Sequence, residues 1–242
     1  MYAIKTTGLV KQYKNITAVD GLDLEVKRGE LFSLLGTNGA GKTTTIKMLT
    51  CLAEPSQGSG FVGGYDIKTQ SDCIKNIIGV SPQETAVAPN LTVEENLKFI
   101  CGVYGYSKEK TKNRVEELFD LFSLHTVAKR KAGKLSGGWQ RRVSIAMSFV
   151  GKPEILFLDE PTLGLDVLAR HELWDVIVSL KGKTTIILTT HYMEEAEYLS
   201  DRIGIMKNGK LAALGTANEL KKKTGENDFE SAFVSIIKEE SV

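Results

Sequence analysis

Gly36-Thr37-Asn38-Gly39-Ala40-Gly41-Lys42-Thr43 has the residue types and spacing from which a phosphate cradle is built. Glycines at 36, 39 and 41 allow tight, partly positive-φ turns, so the amides through Asn38, Ala40 and Thr44 converge on phosphate oxygens at a helix N-terminus. Lys42 adds a point charge for the β- and γ-phosphates, and Thr43 a hydroxyl for Mg²⁺. The expected ligand is therefore a nucleoside triphosphate. Farther along, Ile155-Leu156-Phe157-Leu158-Asp159-Glu160 ends an apolar run in two adjacent carboxylates. Burying paired acids is costly unless they have work to do, and one can serve Mg²⁺ while the next takes a proton from water. Leu135-Ser136-Gly137-Gly138-Trp139-Gln140-Arg141-Arg142 is a second glycine-led helix start, whose exposed N–H groups and Ser136 hydroxyl suit phosphate.

These residues need scaffolding. Leu31-Phe32-Ser33-Leu34-Leu35 reads as a buried parallel strand feeding the phosphate loop, and the run into Asp159 reads as another. Val143, Ala146, Phe149 and Val150 recur at helical spacing behind the second glycine start. Residues 2–35 read as short strands, with Leu22, Leu24 and Val26 alternating before a turn at Lys27-Arg28-Gly29. Thr92 and Glu95 form a capping-box pattern opening a helix through about Phe99, and Val115, Leu118, Phe119 and Phe122 share one face of a helix over 111–122. Lys207-Asn208-Gly209-Lys210 between two apolar runs predicts a hairpin. Near the end, Lys221-Lys222-Lys223 reads as a solvated helix end, and Phe229, Phe233, Ile236 and Ile237 have helical spacing.

With phosphate loop, LSGG and LFLDEPTLGLD in that order, most of residues 2–215 resembles the nucleotide-binding subunit of an ATP-binding cassette (ABC) transporter. The resemblance implies an α/β fold: a P-loop core on a mostly parallel sheet, with an N-terminal antiparallel β subdomain and an inserted helical subdomain. The expected division of the single domain is 1–83 and about 150–215 for the core, about 84–149 for the helical part that carries LSGG and docks a permease, and about 216–242 for a short extension. It further implies ATP and Mg²⁺ as cofactors and a head-to-tail dimer, homomeric or heteromeric. ATP is then held between the P-loop of one subunit and Ser136, Gly137 and Gly138 of the other. Position by position, Gln83 is similar to the glutamine that meets Mg²⁺ and the membrane partner, and His191 to the histidine that contacts the γ-phosphate and orders water. Asp166 matches the aspartate linking the two sites, and Tyr13 the aromatic that stacks on adenine. The expected chemistry is attack of water on the γ-phosphate, with Glu160 as base, Asp159, Thr43 and Gln83 around Mg²⁺, and Lys42 and His191 stabilising charge. Two positions depart from the family's usual wording: Trp139 stands where glutamine is common, and Thr37 where proline is.

Composition fits an ordinary cytosolic enzyme: 242 residues, 42% hydrophobic, 25% charged and a net charge of +1 that recommends no nucleic-acid partner. Cys51, Cys73 and Cys101 are odd in number and lack metal spacing, so buried, reduced thiols are expected. No apolar run is long enough for a membrane span, so attachment to the cytoplasmic face of the membrane would run through a separate integral permease. The segment Asp228-Phe229-Glu230-Ser231-Ala232-Phe233 is similar to tails of drug- and ion-exporting cassettes, which favours export over import. A non-transport cassette acting on ribosomes or DNA would bring a second cassette, a long coiled coil or a basic patch. A P-loop kinase or GTPase would have no use for LSGG.

Overall fold

The computed structural model describes residues 2–239; Met1 and the last three residues of the expected extension lie outside them. Two sheets divide the chain. The first is antiparallel: β1 (Tyr2–Tyr13), β2 (Ile16–Lys27), β4 (Gln57–Val62) and β5 (Tyr65–Asp66), in the order β2-β1-β4-β5. The second holds β3 (Leu31–Gly36), β6 (Ile78–Ser81), β7 (Ile155–Asp159), β8 (Thr185–Thr190), β9 (Arg202–Lys207) and β10 (Lys210–Gly215), ordered β10-β9-β3-β8-β7-β6. Every pairing in it is parallel except the β9–β10 edge hairpin. Strands β3, β7 and β8 are buried at every residue, which is why they read as unbroken apolar runs rather than as alternations.

The "short strands" expected over 2–35 are instead two twelve-residue strands and β3. Gly8 and Gly21 look like turn punctuation in the sequence. In the fold both take φ near +60° (54° and 66°), at a register shift within a continuous pair, so they bulge the strands rather than end them. Leu22, Leu24 and Val26 point into the core as the alternation requires.

The helices are α1 (Lys42–Leu49), α2 (Ser71–Ile77), α3 (Val93–Val103), α4 (Lys108–Leu121), α5 (Gly137–Ser148), α6 (Val167–Leu180), α7 (Met193–Leu199), α8 (Ala217–Thr224) and α9 (Phe229–Glu239). Thr92 and Glu95 close a reciprocal capping box, and α3 continues a turn past Phe99 to Val103. Ser107 caps α4, whose Val115, Leu118 and Phe119 join Phe122 in one core with Val143 and Ala146 of α5. The tail helix α9 buries Phe229, Phe233 and Ile236 against α7 and α8. The thiols divide: Cys101 is buried and Cys51 half-buried, but Cys73 is exposed, contrary to expectation, because it falls on the solvent side of α2, where Ile74 alone is buried.

One tertiary link bears directly on the phosphate loop. The β9–β10 turn uses Asn208 and Gly209 at φ 49° and 82°, the two-residue geometry that suits strand twist. At its tip Gly209 N donates to Ala40 O (3.1 Å) and Gly209 O accepts from Asp20 N (2.9 Å), joining the phosphate loop to β2 of the other sheet.

Candidate active site

Strand β3 delivers the chain into the loop 36–41 and then into α1. Gly41 holds φ 104°, a conformation that side chains resist, and a Cβ there would lie 2.4 Å from Ala18 O. Gly36 is needed for a different reason than the expected positive φ: its Cβ would lie 2.4 Å from Met206 O on the neighbouring strand β9. The loop is thus pressed between β2 and β9, with the first amides of α1 facing the cleft.

Parallel pairing of β7 with β8 then fixes the acid side. The register sets Asp159 opposite Thr189. Thr189 Oγ1 donates to Asp159 Oδ1 at 2.5 Å and accepts from Glu160 N at 3.0 Å; Glu160 N also reaches Thr189 O at 3.1 Å. Thr43 Oγ1 donates to the same Asp159 oxygen at 3.2 Å. Two hard oxygen donors, from α1 and from the end of β7, therefore meet at the mouth of the loop, a donor set that fits Mg²⁺.

Glu160 is 6% exposed and sits at φ 48°, unusual for a residue with a side chain. Its Oε1 lies 3.2 Å from Lys42 Nζ and its Oε2 2.7 Å from His191 Nδ1. Lys42, equally buried, folds back on its own loop to Gly36 O (2.7 Å) and Thr37 O (3.3 Å). A cleft of about 400 Å³ is lined by residues 38–44 together with Gln83, Glu160, Leu163 and His191. Ten of the expected residues, 38–44 with Gln83, Glu160 and His191, thus line one cavity.

Other expected residues stand elsewhere in the single chain. Ser136, Gly137 and Gly138 start α5 outside the cleft; Ser136 and Gly137 are exposed, and the Ser136 hydroxyl makes no capping bond. The position of a Gly138 Cβ lies 2.9 Å from Ala169 Cβ, so the starts of α5 and α6 touch. Asp166 is exposed and caps α6 through Ala169 N at 2.9 Å. Tyr13 is 45% exposed at the end of β1, with Lys11 Nζ 4.9 Å from its ring centre, and it does not line the cleft. Trp139 packs against the helical core and carries the Arg142 guanidinium 4.6 Å from its ring.

Three residues around the acids escaped the sequence reading. Thr189 is one. Arg141, 4% exposed, donates to the carbonyls of Pro82 (2.6 Å), Gln83 (2.5 Å) and Glu160 (3.2 Å). Burial depresses its guanidinium, while the charges of Asp159 and Glu195 favour keeping it protonated. Glu195 on α7 is fully buried and accepts from Trp174 Nε1 at 3.1 Å. Burial pushes its carboxyl up, helped by the charge of Glu160 and opposed by Thr190, Thr162 and the indole. Position in a strand register or under a helix is what recruits these residues, and no local motif marks that.

Comparison with known proteins adds four findings. The profile described as ABC transporter matches residues 19–163. Over 226 residues the chain is 44% identical to the daunorubicin/doxorubicin resistance ATP-binding protein DrrA of Streptomyces peucetius, covering 93% of this chain and 68% of that one. Its fold is similar to that of a solved ATP-binding subunit of an ABC transporter, with a TM-score of 0.84 at 30% identity over 97% of this chain and 99% of that one. It is also similar to a dimeric ATP-binding cassette in a post-hydrolysis state bound to ADP and Pi, with a TM-score of 0.78 at 27% identity over 88% and 98% of the two chains.

Proposed function

We propose, since this chain belongs to the ABC transporter family, that it is the ATP-hydrolysing subunit powering export of drug-like solutes through a separate membrane permease. The observation that carries the reading is the Glu160 carboxylate, held between Lys42 Nζ and His191 Nδ1 at the base of the phosphate loop. The amides of 39–44 and the Lys42 ammonium take the β- and γ-phosphates. Phosphate oxygens replace Glu160 as the anion beside Lys42, which frees the carboxylate. Glu160 then accepts a proton from water as the water oxygen attacks the γ-phosphorus. The bond to the β–γ bridging oxygen breaks, ADP departs with that electron pair, and inorganic phosphate remains. His191 keeps Glu160 oriented through Nδ1, and its other ring nitrogen serves the γ-phosphate. Thr43 and Asp159, with Gln83 at the rim, would hold Mg²⁺, which when bound neutralises phosphate charge.

Ser136, Gly137 and Gly138 lie outside this chain's own cleft, so a second cassette brings its α5 start to the γ-phosphate, and Asp166 lies beside that junction. The DrrA relative, named for daunorubicin and doxorubicin resistance, supports the reading of drug export. Among the described residues no helix is long and apolar enough to cross a membrane. On this reading the subunit works at the cytoplasmic face through its permease, with the segment 84–149 as the docking part. Turnover per subunit at saturating ATP should fall as the protein is diluted below its dimerisation range, and daunorubicin should stimulate turnover in the complex with its permease. A rate per subunit that stays constant on dilution into strictly monomeric material would defeat the shared-site reading.

A further inference from the structure

We infer that Arg141 is a positioning residue for hydrolysis, one that fastens the helix bearing Ser136–Gly138 to the loop of Gln83 and to the main chain of Glu160. The inference rests on the reading of Glu160 as the base. Arg141 lies in the second turn of α5, and its fork reaches three carbonyls from two other segments: Pro82 and Gln83 beyond β6, and Glu160 beyond β7. Among the described residues no carboxylate forms an ion pair with it. A guanidinium only 4% exposed and set against carbonyls alone is a costly way to fill space. A planar fork is suited to setting the mutual placement of three main-chain points, which a lysine or an apolar residue cannot reproduce.

The third carbonyl explains why placement matters. Glu160 occupies a left-handed φ of 48°, a state that persists only where its surroundings over-determine it. Its N–H is fixed by Thr189, and its carbonyl by Leu163 N (3.2 Å) and by Arg141. Releasing Arg141 removes one of these constraints and, in the same step, frees the Gln83 main chain that frames the opposite rim. The start of α5 and the orientation of the base are therefore mechanically one unit. Displacement of the α5 start on meeting a second cassette would be transmitted to the carboxylate.

The test compares full-length R141K, R141M and E160Q with the unaltered protein. It uses steady-state ATP hydrolysis and binding of a fluorescent ATP analogue. R141M should lose roughly 10- to 100-fold in kcat, the scale on which a misplacement of about 1 Å acts, and R141K should fall between it and the parent. Nucleotide affinity should stay within about threefold in both, because Arg141 does not itself line the cleft and reaches Gln83 and Glu160 only through their main-chain carbonyls, leaving the phosphate loop untouched. A kcat within about twofold of the parent in R141K and R141M, or a loss of nucleotide affinity matching the loss of kcat, overturns the inference. If R141M does not fold, R141K, which keeps charge and length, decides. E160Q separates the two claims. Normal hydrolysis by E160Q defeats the assignment of the base, whereas an inactive E160Q beside a fully active R141K defeats only the role of Arg141.

Discussion

Replacing Glu160 by glutamine keeps the volume and one acceptor of a side chain that is almost wholly enclosed, and removes its charge and its basicity. The rate effect follows from losing a positioned base, typically 10²- to 10⁴-fold, or about 3–5.5 kcal/mol of barrier. The structure adds a second, opposite effect. Glu160 Oε1 sits 3.2 Å from Lys42 Nζ, so incoming phosphate competes with a carboxylate for the same ammonium. At an effective dielectric constant of about 20 the gross attraction at that distance is roughly 5 kcal/mol. Most of this is offset by desolvation and by the carbonyls of Gly36 and Thr37, which also hold the ammonium. If only about a fifth survives as net competition, its removal tightens ATP binding by about fivefold, since about 1.4 kcal/mol is tenfold. E160Q should therefore bind ATP at least as tightly as the parent while hydrolysing it at least a hundredfold more slowly. Equilibrium binding of a fluorescent nucleotide gives the first quantity and single-turnover release of phosphate gives the second. Turnover within tenfold of the parent, or binding weakened by tenfold, would refute the reasoning.

Two further outcomes concern the buried shell. Thr189→Val removes a hydroxyl that donates to the Asp159 carboxyl group and accepts from Glu160 N, a loss of about 2–3 kcal/mol, so calorimetry should show Tm lowered by roughly 4–12 °C. A change under about 2 °C would contradict the proposed network. Glu195→Gln tests the raised carboxyl. A carboxyl whose folded pKa lies above its unfolded value of about 4.3 stabilises the fold below that value and loses this contribution as pH rises toward the folded pKa. The glutamine variant should match the parent at the acid end and become progressively more stable than it as pH rises above about 4.3, by up to about 1.4 kcal/mol per pH unit until the folded value is reached. A stability difference that does not change with pH would show that Glu195 is ionised in the folded protein.

What the sequence revealed and what it hid separate along physical lines. The phosphate loop was legible because its geometry is imposed locally: a left-handed turn and close strand contacts demand glycine at fixed offsets, and Lys42 and Thr43 follow directly on the helix start. Asp159 and Glu160 were legible because a buried strand ending in two acids is unusual in itself. The capping box at Thr92 and the Asn208-Gly209 turn were read for the same reason. Thr189 was hidden because its role comes from a parallel register with a strand thirty residues earlier. Arg141 was hidden because its partners at Pro82 and Gln83 are 59 and 58 residues away, and nothing distinguishes it locally from Arg142, which turns to Trp139 and Glu172 instead. Gly8 and Gly21 misled because the same positive φ serves a turn or a bulge, and only the partner strand decides.

The bond from Gly209 to Ala40, and its companion from Gly209 to Asp20, tie the nucleotide-gripping loop to both sheets through main-chain atoms. On the reading proposed above, movement between nucleotide states is expected instead in the parts hung on side chains: the arginine fork and the segment beyond β6.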